Sequence, residues 1–137
     1  MREATAAIIV AEDTRLILQQ RDSIPGILHP GKVGLFGGHR EGDESFVDCI
    51  IRELHEEIGC YVPANRFVHL ATRTGPDLDV EGGTVHGEIF VVRDVAVEQL
   101  VATEGTLLVI HPAEISTIAS NLVPSAYSAL KFFGLRL

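Results

Sequence analysis

The chain contains no tryptophan, only two cysteines and no long apolar run. Each shortage excludes something. Without tryptophan, stacking on an aromatic ligand falls to a few other rings: Phe36, Tyr61, Phe67, Phe90 and Tyr127. Cys49 and Cys60 do not form a CxxC pair, which argues against a disulfide framework or a structural zinc site. Both read as small hydrophobes in a reducing compartment. No apolar stretch approaches the ~20 residues that span a bilayer. The run from Ala6 to Ala11 stops at Glu12 and Asp13, so it reads as a strand and not as a signal peptide. A soluble, cytoplasmic protein with no membrane partner is expected. Basic residues are scarce too: 11 Lys and Arg face 19 Asp and Glu, for a formal net charge of −8. Binders of nucleic-acid polymers are usually basic, so no such partner is expected. A small phosphorylated substrate stays open, because a bound divalent ion can invert the local field. The six histidines show no HxH or HExxH spacing, and there is no GxGxxG or P-loop.

What is present is an ordinary globular chain. Its 137 residues and 46% apolar content are expected to form one domain over 1–137 with a real core. Ala4–Ala11 and Leu16–Gln20 read as a hairpin around the turn Glu12–Arg15. Residues 22–32, with two prolines and two glycines, read as a loop, and Val33–Phe36 as a short strand ending at Gly37-Gly38. A helix follows, opening near Ser45 with Asp48 three residues on, a variant capping box, and closing at Gly59. Val47, Ile50, Ile51, Leu54 and Ile58 form its core-facing stripe. Arg66–Thr74, Thr84–Val95 and Leu107–Ile110 read as strands, with Gly75-Pro76-Asp77 and Gly82-Gly83 as turns. Pro112 starts a helical turn, and Pro124–Phe133 reads as a terminal amphipathic helix.

The run Arg52-Glu53-Leu54-His55-Glu56-Glu57 carries the chemistry. Glu53, Glu56 and Glu57 share one strip of the helix, where like charges repel by a few tenths of a kcal/mol per pair. A cation offsets that repulsion, and three hard oxygen ligands suit Mg²⁺ or Mn²⁺. Glu57 sits at the edge of the buried face, and Glu56 points furthest from it. A solvated acidic helix face is the bland alternative.

Gly38, Glu44, Arg52-Glu53-Leu54, Glu56-Glu57 and Gly59, followed by the small apolar Cys60, together resemble the Nudix box. Every fixed position is filled, although Cys60 stands where the family more often has an aliphatic residue. Leu18–Asp22 and Gly34–His39 resemble the family's lead-in. The resemblance implies a Nudix-type α/β/α sandwich with a mixed sheet and a loop–helix–loop motif. It implies divalent-metal-dependent hydrolysis of a pyrophosphate bond in a nucleoside diphosphate derivative, a nucleoside triphosphate or a nucleotide sugar, by metal-activated water. By resemblance the metal ligands are Glu53 and Glu57, then Glu56, a backbone carbonyl at Gly37 or Gly38, and Glu44. Arg52 would orient a carboxylate. The general base stays open between Glu56 and Glu104, with Glu88 and Glu98 as competitors. Arg21 resembles a phosphate-contacting position, and His39 lies in the box loop within reach of substrate. Pro76 stands where ADP-ribose-cleaving relatives carry a proline, but Gly75-Pro76-Asp77 is also an ordinary turn, so it does not select that substrate. The other function class is a non-catalytic nucleotide-binding module on the same fold. Homodimerisation, common among relatives, is not decided by the sequence.

Overall fold

A computed structural model describes all residues from 1 to 137. Its centre is a parallel pair, β1 (Arg2–Ala11) beside β6 (Thr84–Val95), in register from Arg2 opposite Val85 to Ile9 opposite Val92, with a one-residue shift before Ala11 meets Val95. The strands β2 (Leu16–Gln20), β3 (Val33–Gly34), β4 (Phe36–His39), β5 (Val68–Pro76) and β7 (Thr106–Ile110) complete a mixed seven-stranded sheet. β2 and β4 share one edge of β1. β2 pairs with its end at Ile9 and Val10, and β4 with its start from Ala4 to Ala7. β7 runs antiparallel along the other side of β2, and β5 along the outer side of β6.

The alternation of β1 builds two cores. Ala7, Ile9 and Ala11 face helix α1 (Phe46–Ile58) through Ile50, Leu54 and Ile58. Ile8 and Val10 face the opposite way, onto Ile115 of the 3₁₀ segment Pro112–Asn121 and onto Ala129 and Leu130 of α2 (Pro124–Phe132). A strand covered on both faces reads as a continuous apolar run, which β1 does. The result is an α/β/α sandwich.

Four local expectations need correction. Val33–Phe36 is not one strand. The chain passes from β2 to β1 at Leu35, and the second piece runs through Gly37-Gly38 to His39. Gly37 has φ +157°, and a Cβ there would lie 2.1 Å from the Thr5 carbonyl oxygen, so only glycine pairs this closely with β1. Arg66 ends a 3₁₀ turn, and β5 begins at Val68. Gly75 and Pro76 belong to β5, opposite Val85 and Thr84. Proline is tolerated there because β5 is an edge strand. The apolar stripe of α1 also shifts: Cys49 is fully buried, while Val47 and Ile51 are only half-buried. No helix is long and apolar enough to cross a membrane.

Candidate functional site

The site is built on α1 and on what holds its two ends. Ser45 caps the first turn, its hydroxyl accepting from the Asp48 amide at 3.0 Å. Gly59 closes the last turn at φ +67°. Carbonyls of a helix's last turn lack helical partners. Here the loop before β7 supplies them. The Val101 amide donates to Ile58 (3.2 Å), and the Thr103 amide to Glu57 (2.9 Å). The Thr103 hydroxyl reaches the Glu56 and Glu57 carbonyls, each at 3.3 Å. This clamp carries Glu104 to the glutamate face of α1, and the Gln19 amide pins the Glu104 carbonyl at 3.3 Å.

Arg52 gathers most of the carboxylates. It meets Glu44 through two nitrogens, at 2.7 and 3.1 Å. Its Nη1 donates to Glu53 at 2.9 Å and reaches Glu56 at 3.3 Å. Its Nη2 also donates to the His39 carbonyl at 3.0 Å. The Arg52 guanidinium holds the Glu44 carboxyl down to about 2, and the two-point contact holds Arg52 charged in return. Arg40 braces the same loop, donating to the Glu44 carbonyl at 3.1 Å while paired with Glu3 at 2.9 Å.

Glu57 is different. It has no basic partner. Its Oε1 accepts only from the Gly37 amide at 3.3 Å. Burial first, and then the adjacent Glu53 carboxylate, push its carboxyl up to about 8, with Glu104 adding to the repulsion. Gly38 makes room for this pair: a Cβ there would sit 2.3 Å from the Glu53 carboxyl carbon. No three His, Cys, Asp or Glu side chains form a finished metal cage. Arg52 draws Glu44, Glu53 and Glu56 towards itself. The donor set still fits a hard divalent ion, with Glu57 facing Glu53 without a counter-cation beside the side-chain-free Gly37-Gly38 backbone.

On the other face of the sheet a cleft of about 230 Å³ shares Gly37 and Gly38 as part of its lining. It exists because the sheet under α2 runs out of side chains. Where Ile8 and Val91 fill the second core further along, Ala4, Ala6 and Gly87 leave a gap. Loop residues Leu28, His29, Asp77 and Asp79 close its sides, tied together by the His29 ring and the Asp79 carbonyl at 2.8 Å.

The structure brings Glu44, Arg52, Glu53, Glu56, Glu57 and Gly38 into one group, with Glu104 beside it. Arg21 lines the cleft, its Nε donating to the Leu28 carbonyl at 2.8 Å. The His39 ring is exposed and lies 3.3 Å from Arg2, while its carbonyl serves Arg52. Glu88 is fixed by His69, His86 and Thr72 at the β5–β6 pairing. Glu98 lies with Glu12, Asp13 and Arg15 at the far end of β1, roughly 20 Å from the level of Gly38 at about 3.3 Å per residue. None of the five rings expected to stack a base lines the cleft. Phe36, Phe67 and Phe90 are built into the α1-side core, and Tyr61 and Tyr127 lie on the surface. Sequence reasoning missed Thr103 and Arg40, which hold the site from outside. It also missed Arg2, Arg73, Asp77 and Asp79, whose role depends on which loops meet. Arg73 alternates along β5, but the alternation carries no sign of a cleft.

The match to known proteins is consistent with this geometry. The NUDIX domain family model matches residues 1–125, and the chain belongs to that family. The solution structure of the E. coli ORF135 protein is 26% identical, with TM-score 0.73, covering 97% of this chain and 88% of that one. The NUDIX domain of Shewanella oneidensis NrtR, complexed with ADP ribose, is 18% identical with TM-score 0.75, covering 97% of this chain and 86% of that one. A bifunctional NMN adenylyltransferase/ADP ribose pyrophosphatase from Francisella tularensis, complexed with AMP and Mn ion, is 18% identical with TM-score 0.74. The alignment covers 96% of this chain but only 40% of that protein. No curated protein matches the sequence.

Proposed function

We propose that this chain, as one domain over 1–137, hydrolyses a pyrophosphate bond in a nucleoside diphosphate derivative with the help of Mg²⁺ or Mn²⁺. The observation that carries the reading is Glu57: a half-buried carboxylate facing Glu53, with no cation of its own, beside a backbone stripped of side chains. Glu53, Glu57 and Glu56, with the Gly38 carbonyl and Glu44, would hold the ion. When bound, it neutralises phosphate oxygens and lowers the pKa of a water nucleophile. Arg52 holds Glu44, Glu53 and Glu56 in place. Glu56 and Glu104 are the exposed carboxylates placed to take a proton from water. Two neighbours whose names mention ADP ribose, one of them bound to AMP and Mn ion, support a nucleotide ligand and a divalent ion. The test is phosphate or nucleotide release from a panel of nucleoside triphosphates and nucleotide sugars, with Mg²⁺ or with chelator. Metal-dependent turnover that Glu57→Gln abolishes and Glu114→Gln leaves intact is expected. Nucleotide binding without turnover across the panel would instead favour a non-catalytic module.

A further inference from the structure

We propose that His69, His86 and Glu88 form a site for a borderline-soft divalent ion, Zn²⁺, separate from the glutamates of α1. The inference goes beyond the hydrolase reading and does not depend on it.

A strand sends residues i and i+2 to one face. His86 and Glu88 are two apart on β6 and share the face of Phe90 and Val92, which pack towards α1. On β5, His69 lies opposite Phe90, Thr72 opposite Glu88 and Thr74 opposite His86. The shift between His69 and Ala71 brings His69 and Thr72, three apart, onto that same face. Glu88 thus meets an imidazole on each side. The His69 Nε2 stands 2.6 Å from its Oε2, and the His86 Nε2 2.9 Å from its Oε1. Contacts behind the rings fix their direction. The Thr74 hydroxyl lies 3.0 Å from the His86 Nδ1, and the same ring packs on Phe46 at 5.3 Å. The His69 ring meets Phe90 in a T-shaped contact at 5.5 Å. No lysine or arginine pairs with Glu88. Burial works against its charge, yet the Thr72 hydroxyl at 2.6 Å and the two rings hold the carboxyl below its usual range.

Two imidazole nitrogens and one carboxylate are the donor set of a His₂Glu zinc site, which keeps a fourth position for water. Two imidazoles suit Zn²⁺ and not Mg²⁺, which takes oxygen ligands. The three side chains are not a finished cage, because each ring stands against a carboxylate oxygen. Ligands about 2.0–2.1 Å from a tetrahedral zinc stand roughly 3.3–3.4 Å apart, so each ring has to draw back by less than about 1 Å. The side chains of His69 and His86 are 48% and 29% exposed, which gives them room to do so. The Thr74 hydroxyl can accept as well as donate, so it serves the Nδ1–H tautomer of His86 that frees Nε2 for the ion. Glu88 lies opposite Thr5, and Thr5 opposite Gly38, so two strand spacings, about 10 Å, separate this cluster from the backbone beside Glu57. An ion here ties the edge strand β5 to β6, beside the first turn of α1.

The test is calorimetric titration of the untagged full chain with Zn²⁺ at neutral pH, in excess Mg²⁺, with the visible spectrum of added Co²⁺ as a second readout. One equivalent of Zn²⁺ is expected to bind and to raise the melting temperature. His69→Gln, His86→Gln and Glu88→Gln should each weaken binding at least tenfold and remove the tetrahedral Co²⁺ bands. Thr74→Val, which keeps all three ligands and loses the hydroxyl behind His86, should weaken it less. His55→Gln, on the exposed face of α1, should leave it unchanged. Acidification protonates imidazole and should release the ion. The two histidines are partly exposed and come from different strands, so either variant alone carries the test if the other does not fold. No zinc equivalent in the presence of Mg²⁺, binding indifferent to both histidine variants, or binding lost equally in His55→Gln would overturn the proposal.

Discussion

Two glutamates one residue apart on the same helix have opposite surroundings. Glu56 is exposed and within reach of Arg52, whereas Glu57 is half-buried and has only a backbone amide. The helical spacing already placed Glu57 at the edge of the buried face. It could not show that Arg52 would serve Glu44, Glu53 and Glu56 and leave Glu57 out, because that depends on the loop carrying Glu44. The consequence is a pH effect. Glu57 is an acid whose folded pKa, about 8, lies above its ordinary value of 4.5. Between those values the folded chain binds the proton more than the unfolded chain does. Stability of the metal-free protein therefore falls as pH rises from about 4.5 to 8, by on the order of 2–4 kcal/mol. Melting curves in chelator should show this fall in the wild type, and Glu57→Gln should flatten it. A wild-type profile already flat over that range would contradict the placement of Glu57. Arg52→Gln is expected to cut metal affinity or turnover roughly 10–100-fold, as for loss of a group that orients ligands. The readout is a shift in the Mg²⁺ concentration needed for half-maximal rate, which a purely structural role for Arg52 would not produce.

At the scale of elements, α1 was the most legible part. Its cap at Ser45, its end at Gly59 and the strip of three glutamates follow from local chemistry, and the structure has them where the spacing puts them. The strands β2 and β6 are likewise found at their expected bounds. What could not be read is where separate elements touch. The break at Leu35 arises because β2 and β4 pair with different stretches of β1, a non-local fact. The cleft arises because Ala4, Ala6 and Gly87, distant in sequence, meet under α2. Phe36, Phe67 and Phe90 went to the core because their apolar area is better buried against α1 than left lining an open cleft. Gly59→Ala tests the helix end directly. A side chain at φ +67° is strained by about 1–2 kcal/mol. The loss should appear in denaturant melts, together with weaker hydrolysis, because the Val101–Thr103 clamp is anchored on the same turn.

For the whole molecule, the sheet divides the labour. One face presents the acidic cluster of α1, and the other the cleft under α2, where Arg2, Arg21 and Arg73 stand among Asp77, Asp79 and Glu88. The Gly37-Gly38 strand is common to both. A chain of net charge −8 that concentrates carboxylates on one helix is expected to gain stability from divalent ions. With Mg²⁺ at 100 times its dissociation constant, the gain is about 2.7 kcal/mol, a rise of several degrees in melting temperature. Glu57→Gln should lose most of that rise, while a monovalent salt at matched ionic strength should not reproduce it.

The most direct measurement is release of product from the nucleotide panel by the wild type and by Glu57→Gln, each with Mg²⁺ and with chelator. The account predicts turnover only in wild type with metal, and a loss in Glu57→Gln beyond the roughly 10–100-fold of an indirect change. Turnover that persists in chelator, or that Glu57→Gln leaves untouched, would contradict it.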